Sequence, residues 1–100
     1  MDIRKQIIDA IKSRRKVEIN YNNEGYRLSC PHALFISSTG KTLVDSYQIS
    51  GYSNHPKQIP RWRPFDISKI AELKVLDETF ELAPGYKPLS DKYLNAIAMI

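Results

Sequence analysis

The sequence predicts a mainly β protein of mixed α+β class, in which about five short strands bend into a small antiparallel barrel with a helix at either end. Three observations predict it. Apolar residues recur at helical spacing only near the two ends, at Ile3, Ile7, Ala10 and Ile11 and at Tyr93, Leu94, Ile97 and Ala98. Between them the apolar pattern alternates with period two. Turn-forming clusters such as Asn22-Asn23-Glu24-Gly25 and Ser38-Thr39-Gly40 separate the alternating stretches at short intervals.

Each element has a local reason. Asp2 can cap a helix over residues 2–14, and Arg14, Arg15 and Lys16 at its end complement the helix dipole. Val17, Ile19 and Tyr21 alternate with Lys16, Glu18 and Asn20 as a half-buried first strand. Tyr26, Leu28 and Cys30 form its partner, which Pro31 breaks or bends because it has no N–H to donate. Ala33 to Ser37 make a third strand and Leu43 to Tyr52 a long fourth, weakened at its far end by serines and Gly51. Residues 53–60 form a loop. Trp62 to Ile67 give a fifth strand, which Pro64 places at a sheet edge or marks with a bulge. A short turn over residues 68–72 and a brief strand from Leu73 to Leu76 follow, and Ser90 caps a last helix. Bending such a sheet into a barrel also protects its edges from aggregation.

The 100 residues make one domain, 1–100, with 42% hydrophobic and 26% charged residues, ordinary values for a globular chain. Such a chain buries about two thirds of its unfolded surface. The single cysteine, Cys30, cannot form a disulfide within the chain, and neither a signal-peptide core nor a membrane-length apolar run is present, which together point to a cytoplasmic protein. The net charge of +4 permits an anionic partner without requiring one.

No pair of the scattered carboxylates has the arrangement of general acid–base catalysis, and there is no phosphate-binding glycine loop. Cys30 and His32 share a strand face at a spacing of two, yet no third group orients them as nucleophile and base, and with His55 they still fall short of a zinc site. The chain therefore reads as a non-enzymatic protein without a cofactor. His32, which follows Pro31 at a strand entrance, suits a hydrogen bond to backbone or ligand. The best site is the cluster Tyr47, Gln48, Ser50, Gly51, Ser53, Arg61, Trp62 and Arg63. Small residues admit a ligand close to the backbone, arginines grip phosphate at two points, and Tyr and Trp stack on bases. Its structural alternative is a barrel corner, with Gly51 at the bend, Tyr47 and Trp62 in the core and the arginines reaching outward.

The run Arg15-x-Val17-x-Ile19-x-Tyr21, Pro31-His32, Leu43, Tyr47-Gln48-x-Ser50-Gly51-x-Ser53, Trp62-Arg63-x-Phe65 and Lys69-Ile70 resembles the WYL domain family, in particular a compact bacterial and phage branch. The likeness continues to Phe80, Tyr86, Pro88 and the end of the chain. The resemblance implies an Sm-like, SH3-type barrel and a ligand-sensing regulatory module, linked to transcription regulation or phage defence, that binds a nucleotide or short single-stranded nucleic acid. It implies a ligand surface at His32, Tyr47, Ser50, Ser53, Arg61 and Arg63. The chain departs from the pattern where the Trp-Tyr-Leu of the family name stands as Lys41-Thr42-Leu43, and where Asp45 and Asp66 occupy positions often basic in relatives. The alternative function is protein–protein interaction, a homodimer paired through the Pro64 edge and packed by the terminal helices, with no small ligand.

Overall fold

The computed structural model describes residues 2–100. One helix, α1 (Ile3–Ser13), precedes six strands: β1 (Arg15–Tyr21), β2 (Tyr26–Ile36), β3 (Thr42–Gly51), β4 (Arg61–Asp66), β5 (Ile70–Thr79) and β6 (Ala96–Met99). The Asp2 side chain accepts from the Lys5 N–H, as its capping position predicts, and the helix ends at Arg14 in the left-handed region with φ 52°. Asn22 and Asn23, with φ of 55° and 57°, turn the chain between β1 and β2.

All strands join one antiparallel sheet in the order β4-β3-β2-β1-β5, with β6 paired to β2. Sequence-adjacent β4 and β5 thus lie on opposite edges, yet only the single turn of 3₁₀ helix Ile67–Lys69 separates them, so the two edges converge there. Asp66 N–H donates to Tyr21 Oη and Asn22 N–H to the Lys69 carbonyl, which ties this junction to the end of β1. One sheet face closes on α1 around Ile7, Ile11, Val17, Leu34, Val44 and Phe65. Segment 80–95 covers part of the other face, where Ala33, Phe35 and Tyr93 form a second buried cluster.

Three expectations are corrected. No helix follows Ser90: residues Asp91–Tyr93 make one turn of 3₁₀ helix and Ala96–Met99 form β6. The helical spacing of Tyr93, Leu94, Ile97 and Ala98 is overridden by an open stretch of β2, which Met99, Ala98 and Ala96 complete opposite Ala33, Leu34 and Phe35. Leu94, assigned to the apolar face of that helix, is 82% exposed instead. Second, Pro31 does not divide a strand in two. It sits between the residues that pair with β1, which end at Ser29, and those that pair with β6, which begin at Ala33. On that side of β2 its missing N–H interrupts no ladder. Third, the brief strand at Leu73–Leu76 is the middle of the ten-residue β5, held along its length by β1.

Candidate functional site

The register shows where each predicted site residue goes. Gln48 lies opposite Ser29 on β2 and Arg61 on β4, Ser46 lies opposite Pro31 and Arg63, and Val44 lies opposite Leu34 and Phe65. These positions share the α1 side of the sheet, so the apolar core grades along β3 and β4 into a polar, arginine-bearing patch. Arg27 joins it from β2, two residues before Ser29, with its guanidinium 5.5 Å from the Tyr21 ring centre, 5.1 Å from Tyr52 and 5.7 Å from Phe65. Arg63 approaches the same Phe65 ring at 5.6 Å.

This patch is unusually short of hydrogen-bond partners. Arg27, Ser29, Ser46 and Gln48 are each at most 2% exposed. Arg27 reaches Glu24 Oε1 at 3.4 Å, Arg61 Nη1 donates to Gln58 Oε1 at 2.7 Å, and Gln48 Nε2 donates to the carbonyls of Ser50 and Tyr52. Among the described residues the buried side-chain atoms left without a partner are Arg27 Nε, Ser29 Oγ, Ser46 Oγ, Gln48 Oε1 and Arg61 Nε, and all of them belong to this patch. Burial, then repulsion from Arg61 and Arg27, holds Arg63 below the usual guanidinium range. Guanidinium remains charged even so, which leaves concentrated positive charge beside unsatisfied polar groups. Such groups are ordinarily paired with protein or ordered water, so their concentration in one patch marks it as the candidate site.

His32, Tyr47 and Trp62 belong to the opposite face. Pro31 and Ala33 pair with the consecutive residues Ser46 and Asp45, so His32 is the extra residue of a β-bulge. Its fully buried ring packs among Trp62, Phe80 and Tyr86 at centroid distances of 4.7, 5.0 and 4.9 Å. Nδ1 lies 2.7 Å from the Cys30 carbonyl and Nε2 accepts from the Ala83 N–H at 3.1 Å, which defines a neutral imidazole with its proton on Nδ1. Burial pushes its pKa down. The ring thus meets the backbone of Cys30 rather than its thiol, whose pKa burial raises, and a thiolate–imidazole pair is not assembled. Tyr47 packs edge-on against Trp62 at 5.4 Å. Trp62 Nε1 donates to the Pro84 carbonyl at 2.7 Å.

Ser50 and Ser53 stand apart from both groups. A second register shift leaves Ile49 unpaired and sets Ser50 opposite Leu28, exposed at the strand end. Ser53 Oγ accepts from the His55 N–H and shapes the loop. The predicted cluster is therefore divided: Gln48, Arg61 and Arg63 face one way, and Tyr47, Trp62 and His32 the other. Arg27, Ser29 and Ser46 were missed. Their signal was the alternation itself, since Arg27 and Ser29, Ser46 and Gln48, and Arg61 and Arg63 are pairs spaced by two on three consecutive strands. Among the described residues no three His, Cys, Asp or Glu side chains gather to hold a metal, and no helix is long and apolar enough to cross a membrane.

Fold and site together define a small α+β protein with an arginine-bearing polar patch at the end of its core. Comparison of the chain with protein-family models, with curated proteins and with solved structures finds no match.

Proposed function

We propose that this chain is a non-enzymatic ligand-sensing module that binds a phosphate-bearing ligand, a nucleotide or a short single-stranded nucleic acid, as the resemblance to WYL domains implies. The observation that carries the reading is the patch of Arg27, Arg61 and Arg63 with Ser29, Ser46 and Gln48, in which five buried polar atoms, two of them arginine Nε, lack partners. Arginine presents phosphate with two parallel donors, and neighbouring hydroxyls and an amide oxygen fix its orientation. The convergence of β4 and β5 through one turn supports an Sm-like, SH3-type barrel, since it brings together the two edges that closure would join.

The test is fluorescence anisotropy of short labelled single-stranded DNA and RNA, with nucleoside triphosphates and pyrophosphate as competitors, at several salt concentrations. Binding should weaken with salt by a log–log slope of about 0.7 per phosphate contacted. Arg61→Ala/Arg63→Ala should lower affinity at least about tenfold and reduce that slope. Ser46→Ala should weaken binding while leaving stability in phosphate-free buffer unchanged or raised by about 1 kcal/mol, because it removes a hydroxyl that has no partner in the free protein. Absence of binding at low salt by oligonucleotide and competitor alike would sink the reading.

A second reading rests on β4, which among the described residues pairs with β3 alone and leaves its outer edge, including Pro64, without a strand partner. Two copies could pair through that edge in a homodimer. Light scattering that gives the 11.5 kDa monomer mass at every concentration would exclude it.

A further inference from the structure

The face of the sheet opposite the arginine patch holds a separate cavity. Segment 85–93 arches over β3 and β4 and borders an open cavity of about 560 Å³. Its apolar lining comes from Phe35, Leu43, Trp62, Pro64, Tyr86 and Tyr93. Trp62 and Tyr86 lie nearly parallel, with ring centres 5.9 Å apart and planes 23° apart. The acid among the lining residues, Asp45, is 4% exposed and already engaged, accepting from Tyr93 Oη at 2.7 Å and paired with Lys92 Nζ at 2.6 Å. Lys87 also lines the cavity, and Arg63 borders it from β4 while its guanidinium lies across the sheet over Phe65. No carboxylate neutralises Lys87 among the described ion pairs. The cavity thus holds two lysines against one carboxylate, and Lys92 already satisfies that carboxylate.

A concave site of this volume, walled by rings and provided with a few charged groups, has the ordinary form of a small-molecule site. The excess positive charge selects the ligand's charge, and the flat aromatic walls select its shape. We propose that the cavity binds a compact planar aromatic carboxylate. Its ring packs against Trp62 and Tyr86, and its carboxylate meets the Lys87 ammonium at the rim. The charged group it uses is separate from the patch across the sheet, and the site does not depend on that patch binding phosphate.

Trp62 is the chain's single tryptophan, so its emission reads the cavity directly. The experiment titrates the protein with 3-phenylpropionate and biphenyl-4-carboxylate, and with the matched uncharged amides, by Trp62 emission and calorimetry. The acids should bind about tenfold more tightly than their amides. Lys87→Glu, at an exposed position, should erase that preference while amide binding stays within about twofold. Leu43→Phe, which narrows the cavity, should weaken acid and amide together in calorimetry. Pyrophosphate should not displace the acids. Equal binding of acids and amides, acid binding indifferent to Lys87→Glu, displacement by pyrophosphate, or no heat and no emission change at millimolar acid with folded protein would each overturn the proposal.

Discussion

At His32 both imidazole nitrogens are committed to backbone groups, and this makes the residue a reporter of pH. Burial lowers its pKa in the folded protein, so between that value and the unfolded value near 6.5 the unfolded chain binds more protons. Stability contributed by neutral His32 is therefore present above about pH 6.5 and is lost as the pH falls below it. The denaturation midpoint should drop on acidification through this range, and His32→Gln should flatten the pH profile while lowering stability throughout, because the Cys30 carbonyl and Ala83 N–H lose well-placed partners. Gly51 is constrained differently. Its φ is +99°, and a Cβ there would stand 2.4 Å from the Tyr26 carbonyl oxygen and 2.8 Å from Arg27 Cα. Gly51→Ala should cost about 3 kcal/mol or more in urea unfolding, through backbone strain and overpacking together. A cost under about 1 kcal/mol would show that β2 and β3 yield at this point.

Among the elements, β6 tests how far pairing overrules propensity. Its four residues fill the part of the β2 edge that β1 does not reach, and the Ile100 N–H continues the contact to the His32 carbonyl. Ala98 lies opposite Leu34 and is 9% exposed, so Ala98→Pro removes a ladder donor and forces a ring into a packed position. A loss of about 3 kcal/mol or more in chemical denaturation is expected, whereas a true terminal helix at Ile97–Ala98 would place the damage on far-ultraviolet helical signal instead. The turn at Asp91–Tyr93 is held by side chains. Tyr93 Oη donates to Asp45 in a buried contact, and burial and that hydrogen bond raise the Tyr93 pKa far above its usual range.

At the scale of the whole molecule, segment 80–100 is stitched to the sheet rather than draped over it. The bonds from Ala83 to His32, from Trp62 to Pro84, from Tyr86 to Ile100 and from Tyr93 to Asp45 link it to β2, β3 and β4 and close it on itself. Removing the segment would expose a layer of aromatic rings and leave the neutral tautomer of His32 without its acceptor role. Unfolding followed by Trp62 fluorescence, which senses this segment, should coincide with unfolding followed by circular dichroism, which senses the sheet. A fluorescence transition at lower denaturant would show that the segment detaches on its own.

Local chemistry in the sequence was enough to determine α1 with its Asp2 cap, the Asn22–Gly25 turn, the alternation of β1 and the edge position of the Pro64 strand, because each depends on residues within a turn or two of one another. The fate of residues 90–100 was not legible there. A four-residue apolar stretch suits helix or strand alike, and the vacant edge of β2, more than fifty residues away in the chain, chose strand. The candidate site was half legible for the same reason. Arg61 and Arg63 stood out beside Trp62, but alternation on β4 sends the arginines to one face and the tryptophan to the other, and only the register of β2, β3 and β4 brings Arg27, Ser29 and Ser46 to the arginines. Tertiary structure also decided the role of His32. Alternation from Ser29 already sends its ring to the face opposite the arginines, but only the fold lays segment 80–86 over that face, where Phe80, Tyr86 and the Ala83 N–H enclose it.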